Sequence, residues 1–322
     1  MPNVVLDRMT SPVWRQPWQA VYSTRHWLDI RRPPTRMSQR TASNAAAPGT
    51  KHCHVTRILP RTPPPLDAEL QERIHILWDE LAAFEAAQGD VALLHLLSTV
   101  AGMVGADNAY WFGAVRIVDA GSDPLLGWRP RGIQYLKPLP NDVTFTRERV
   151  RSIDRGAVDE STVAQARLAG TYRATRLCDL VSADWFRSAA YQDYLDRGVH
   201  DSLTVGAPVS TMAEGYYGFL RMRAGDPFTE ADRDVALYAM RGLTWFHRQV
   251  LLGHGLLVAR SPLSPIERRV LALLLTEQSE KVIASTLGVS PASLHTYVRD
   301  VIRKFGVSGR KGLIGLWLGR QT

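Results

Sequence analysis

From about residue 67 onward, apolar and polar positions alternate with a helical period. Leu70, Ile74, Leu77, Leu81 and Phe84 recur at spacings of three and four, which predicts an amphipathic helix over Asp67–Gln88. A second, more apolar helix is predicted over Val91–Val104. The pattern then changes. Asn108–Val118 is rich in aromatic and β-branched residues and reads as a strand, as do Gly132–Leu136, Arg176–Leu180, Ser202–Val209 and Tyr216–Met222. Between them, helices are predicted over Thr146–Arg155, Glu160–Leu168 and Ala183–Arg197. A long helix follows. Thr229 and Asp232 have the spacing of a capping pair, Val235, Tyr238, Gly242, Trp245, Phe246 and Leu252 continue one face, and Gly253 and Gly255 end it. Residues 63–253 are therefore expected to form an α+β domain, an antiparallel sheet with flanking helices.

The last sixty residues carry a different and sharper pattern. Ser264, Pro265 and Glu267 occupy N-cap, N1 and N3 of a helix that buries Ile266, Val270, Leu273 and Leu274. Ser279 is placed to cap a second helix with Ile283 and Leu287 inward. Gly288 stands where a left-handed residue is needed, and Ser290-Pro291 starts a third helix over Pro291–Phe305. Two helices joined by a tight glycine-containing turn are a helix-turn-helix. On the third helix Leu294, Val298, Val301, Ile302 and Phe305 face inward, and Ala292, His295, Thr296, Arg299 and Arg303 face outward. Such a helix fits the major groove. Arg can bond bidentately to guanine there, His and Thr can bond to bases or phosphates, and small Ala292 and Ser293 permit close approach. Arg303 and Lys304 lie farther along, where backbone phosphates pass.

Charge supports this division. The 322-residue chain has a formal charge of +8. Residues 1–62 contribute ten Lys/Arg against two Asp, and residues 260–322 contribute ten against four acidic residues, so the centre is acidic. A basic terminal module on an acidic core fits polyanion binding at that end. Residues 1–62, rich in Pro, Ser, Thr and Arg, read as a disordered basic extension. They are either a passive tail, an arm adding non-specific DNA affinity, or sequence upstream of another start at Met37. The chain has two cysteines, Cys53 and Cys178, as expected of a reducing cytoplasm. His52-Cys53-His54 has metal-ligating side chains but no second ligand cluster near it, and no cofactor is expected. Phosphate loops, Gly-x-Ser-x-Gly, His-Glu-x-x-His and Cys-x-x-Cys are missing from the sequence, which speaks against an enzyme.

The run Leu263-Ser-Pro-Ile-Glu-Arg-Arg-Val-Leu, through Ile283-Ala-Ser-Thr-Leu-Gly-Val-Ser-Pro-Ala-Ser-Leu-His-Thr-Tyr-Val-Arg, to Arg303-Lys-Phe-Gly-Val closely resembles the LuxR/FixJ-type DNA-binding domain. The resemblance implies a four-helix domain over 261–322, reached through a linker at 254–260. His295, Thr296 and Arg299 fall at base-reading positions. Ser290 and Ser293 stand at the start of the reading helix, Glu267 ties the first helix down, and Lys281 and Lys304 face phosphates or support the scaffold. The fourth helix, about Ser308–Leu318, often forms a dimer contact in the family. The chain departs from the family at His295, Tyr297, Val282 and Glu280, which bears on base preference and affinity, and His295 would add pH sensitivity. The preceding segment resembles a GAF-like sensor, with Asp226-Pro227-Phe228-Thr229-Glu230-Ala231-Asp232-Arg233 leading into its last long helix.

The combined expectation is a bacterial transcriptional regulator, cytoplasmic and without a membrane segment. It would bind double-stranded promoter DNA as a homodimer, contact RNA polymerase and answer to a small-molecule effector. Trp111, Tyr135, Trp185, Phe186, Tyr191 and Tyr217 are the candidate ligand-pocket residues. The alternative is an acyl-homoserine-lactone receptor. That reading draws on the aromatics of Trp185–Tyr194, but no Asp-Pro follows at the family's spacing.

Overall fold

The computed structural model describes residues 66–117, 123–139, 151–153 and 158–319. The expected basic extension and the His52-Cys53-His54 cluster lie outside them, as does most of the helix expected over Thr146–Arg155.

Helices α1 (Ala68–Ala82) and α2 (Gly89–Met103) open the sensor segment, with a 3-10 turn at Ala86–Gln88 between them. Strands β1 (Asn108–Arg116) and β2 (Trp128–Tyr135) follow, then α3 (Glu160–Arg167), β3 (Arg173–Arg176), the single turn α4 (Leu177–Leu180) and α5 (Ala189–Asp196). Strands β4 (Asp201–Ser210) and β5 (Ala213–Arg221) lead into α6 (Glu230–Arg241) and α7 (Thr244–Gly253). The strands form one antiparallel sheet in the order β2-β1-β5-β4-β3. This is the expected α+β architecture.

The period of two along each strand gives the sheet two chemically different faces. Ala109, Trp111, Leu203, Val205, Ala207, Tyr217 and Phe219 point to the side covered by α1, α2, α6 and α7, forming the main core. The alternate residues, including Tyr110, Phe112, Thr204, Glu214 and Tyr216, point to the other side. There Phe112 stacks on Tyr216 with ring centres 4.6 Å apart, and Tyr110 meets Tyr135 at 5.8 Å.

This second face also holds a buried ion pair. Arg173 donates to Glu214 at 2.5 Å, to the Thr171 carbonyl at 2.8 Å and to the Tyr216 hydroxyl at 3.0 Å. Glu214, fully buried, also accepts from the Gly170 amide at 2.9 Å. Gly206 is opposite Arg173 in the ladder, and a Cβ there would lie 2.6 Å from the guanidinium carbon. A glycine is needed because the guanidinium lies flat over that position.

Three elements differ from expectation. The long helix expected to about Leu252 breaks at Gly242. The Trp78 indole N–H donates to the Ala239 carbonyl at 2.7 Å, taking the acceptor that the Leu243 amide would use in an unbroken helix. The His247 ring likewise takes the Met240 carbonyl at 3.0 Å. The segment Arg176–Leu180, expected as a strand, is a helical turn after a shorter β3. Asp179 accepts from the Arg176 amide at 3.0 Å and pairs with its guanidinium, which closes the turn. Ala183–Arg197, expected as one helix, is a 3-10 turn (Ala183–Arg187) and then α5, restarted by the Ser188 cap.

Candidate nucleic-acid interface

Four helices make the C-terminal domain: α8 (Pro265–Leu274), α9 (Glu280–Leu287), α10 (Pro291–Phe305) and α11 (Arg310–Trp317). Ser264 and Glu267 form the expected reciprocal cap on α8, with bonds of 2.7 and 3.4 Å. Gly288 adopts φ +66° and ends α9, turning the chain directly into α10. Ser279 occupies the N-cap of α9, but its side chain makes no capping bond. Ser290 caps α10 by accepting from the Ser293 amide at 3.1 Å, and the two hydroxyls lie 2.9 Å apart. Pro291 costs nothing at N1 because that amide has no helical partner.

Leu294, Val298, Val301 and Phe305 of α10 are buried against Val270, Leu271, Leu274, Ile283, Leu313 and Leu316. That contact fixes which face of α10 is outward. Ala292, Ser293, His295, Thr296, Arg299 and Arg303 are all exposed on it. Among the described residues, His295 and Arg299 make no hydrogen bond or ion pair, so their donors are available to an external partner. The Thr296 hydroxyl donates back to the Ala292 carbonyl at 3.2 Å, and Arg303 pairs with Asp300 at 2.8 Å. Lys281 is exposed at the start of α9.

Lys304 is turned the other way. Its ammonium donates to Glu267 at 2.7 Å and to the Pro262 carbonyl at 3.0 Å. Of the two roles expected for it, the structure places it in the scaffold, tying α10 to α8. Burial alone would raise the Glu267 carboxyl, but Lys304 and the Ser264 cap outweigh it and hold that carboxyl below its ordinary range. In α11, Leu313 and Leu316 are spent on the domain's own core, while Leu318 beyond it is exposed.

The six candidate pocket residues do not form one group. Trp111 and Tyr217 are wholly buried on the helix-covered side of the sheet. The Tyr217 hydroxyl donates to His247 Nδ1 at 2.7 Å, and the His247 Nε2–H donates to Met240. Burial lowers the His247 pKa to about 4, so the ring is neutral in this arrangement. Trp185, Phe186 and Tyr191 do come together, with ring centres 5.1–5.6 Å apart. Tyr194 joins them and also packs in the cluster holding Tyr110 and Tyr135. Tyr110, Phe112, Tyr194 and Tyr216 were missed in sequence, although they alternate with or flank the aromatics singled out. Within the cluster the Trp185 indole N–H is buried and has no acceptor among the described residues.

Residues 261–316 match the family model described as bacterial regulatory proteins of the luxR family. The C-terminal module is thus a LuxR-family helix-turn-helix domain. The transcriptional regulatory protein MctR of Rhizobium johnstonii is 32% identical over 120 residues, a match covering 36% of this chain and about half (53%) of that protein. A solved structure of SdiA in complex with octanoyl-rac-glycerol has a TM-score of 0.42 at 12% identity, covering 80% of this chain and 100% of the other. The N-acylhomoserine-lactone-dependent CepR2 of Burkholderia cenocepacia has a TM-score of 0.37 at 14% identity, covering 55% and 94%. Likenesses this weak do not bear on function.

Proposed function

We propose that the chain is a transcriptional regulator that reads promoter DNA with α10 under the control of its N-terminal sensor domain. The observation that carries the reading is the outward face of α10. His295 and Arg299 lie one helical turn apart there, exposed and unengaged, on a helix held rigidly by its caps and core. Arg299 serves as the main base reader and His295 as a second donor. Lys281 and Arg303 contact phosphates, and Ser290 and Ser293 set the start of the helix. Paired half-sites suit a homodimer, and a dimer on a promoter would stand within reach of RNA polymerase.

In the sensor domain we assign effector binding to the second face of the sheet, around Trp185, Phe186, Tyr191 and Tyr135. Trp111 and Tyr217 support that face from behind. The unsatisfied Trp185 donor favours an apolar effector that carries a carbonyl or similar acceptor. The same observation favours the second reading, an acyl-homoserine-lactone receptor, whose ligand has such a group.

The test is a competition titration of the full chain against specific and random duplexes. Arg299→Ala is expected to narrow the discrimination between them by about 1–3 kcal/mol. An unchanged ratio would remove Arg299 from the reading face.

A further inference from the structure

The seam between the sensor domain and α8 contains a titratable group that the proposed DNA reading does not use. His254 follows α7 directly and is buried, 4% exposed. Its ring packs on Trp111 with centres 4.2 Å apart, and its Cδ2 faces Gly132 on β2. Nδ1 donates to the Val250 carbonyl at 2.9 Å, which leaves Nε2 as a buried acceptor without a donor among the described residues. Arg268 of α8 pairs across the seam with Asp90, in the first turn of α2. A small cavity of about 50 Å³ is lined by His254 and Asp90 from the sensor side and by Trp317 from α11. The charged groups facing His254 are Asp90 from α2, Arg268 from α8, and Glu85, which lines the same cavity beside the 3-10 turn. From β1 and β2 it meets Trp111 and Gly132, and Trp317 of α11 lines the same cavity.

We propose that His254, Asp90 and Arg268 form a proton-operated latch between the two domains. At neutral pH Asp90 holds Arg268 and keeps α8 against the sensor. In acid, a proton from solvent adds to His254 Nε2, turning an unsatisfied acceptor into a charged donor. The imidazolium repels Arg268 and draws Asp90 to itself, so the cross-domain pair opens.

The direction follows from linkage. In the closed seam, burial above all, and then Arg268, push His254 down to about 3 from an ordinary 6.5, with Asp90 opposing. A group that loses its proton affinity on closing favours the closed form above its ordinary value and penalises it progressively below. With those two values the open-to-closed ratio rises about tenfold between pH 7.5 and 5.5. Asp90 is held below its ordinary range in the closed seam, so its own contribution to closure is lost only in stronger acid. A tenfold change in that ratio acts against the apolar contact of Leu252 with the DNA-binding core, which favours the closed seam at both pH values.

The experiment uses the full chain labelled with 5-fluorotryptophan. The ¹⁹F signal of Trp317, assigned with Trp317→Phe, reports on the seam, and the Trp128 and Trp185 signals, from clusters away from His254, report on global folding. Between pH 7.5 and 5.5 the Trp317 signal is expected to pass to an open position with roughly tenfold growth of the open population, while the sensor signals stay native. His254→Phe should stay closed at pH 5.5, and Asp90→Asn, a substitution at a half-exposed position, should be open at both pH values. The latch is refuted by a Trp317 signal that ignores pH, or by an unchanged pH response in either variant. A response shared by Trp128 and Trp185 would mean global unfolding and would overturn it equally.

Discussion

Removing the carboxylate of Glu214 should be among the most damaging single changes available in the sensor domain. Glu214→Ala leaves Arg173, only 5% exposed, as a buried cation without a counter-charge, and strips the Gly170 amide of its acceptor. Breaking a buried pair from one side costs about 3–5 kcal/mol, because desolvation of the surviving charge is no longer offset. For a domain of this size each kcal/mol moves the midpoint by roughly 2–4 °C, so the sensor transition should fall by roughly 6–20 °C. The double variant Arg173→Met/Glu214→Leu removes both charges and should recover much of the loss, since an apolar pair of similar volume is often neutral in such a site. Thermal unfolding of the full chain, followed by tryptophan fluorescence with Arg173→Met and Glu214→Leu singly alongside, completes the cycle. If Glu214→Ala costs under about 1 kcal/mol, the pair is not buried as described. If the double variant loses as much as the two singles together, the penalty does not come from an uncompensated charge.

The remaining predictions concern the DNA-binding domain. Glu267 is held below its ordinary 4.5, so the stability it contributes is complete above that value and is lost as pH falls through its lowered value. Lys304→Met removes the largest cause of the lowering, and acid unfolding of the domain should therefore become less steep below pH 4.5. An identical acid limb would refute the pairing. Ser290→Ala deletes the cap of α10 and should cost about 1 kcal/mol in domain stability. Denaturant unfolding checks it, and an unchanged midpoint would refute the cap.

The helix-turn-helix was legible in the sequence because its determinants are local. Ser264 with Glu267, Gly288, and Ser290 with Pro291 act within four residues of one another, and the apolar period selects one face of α10. What was not legible depends on distant partners. Gly242 continues a helical pattern in sequence, and α6 ends there because Trp78, on α1, takes a main-chain carbonyl. Lys304 looks like any basic residue on a DNA-binding helix until Glu267 is found beside it. Residue type marks an aromatic as a pocket candidate but does not say which side of a strand it occupies. Trp111 and Tyr217 belong to the sealed side, and their neighbours Tyr110 and Tyr216 to the other. The Arg173–Glu214 pair joins residues 41 apart in sequence, and Gly206 marks it only after the ladder register is known.

The account stands most directly on sequence-selective DNA binding through α10. Selection of fragments from a random duplex pool by the full-length chain, with the double variant His295→Ala/Arg299→Ala alongside, tests it. The account predicts a roughly palindromic motif that the wild-type chain enriches and the variant loses. Equal enrichment by the two proteins would contradict it by placing the reading surface elsewhere.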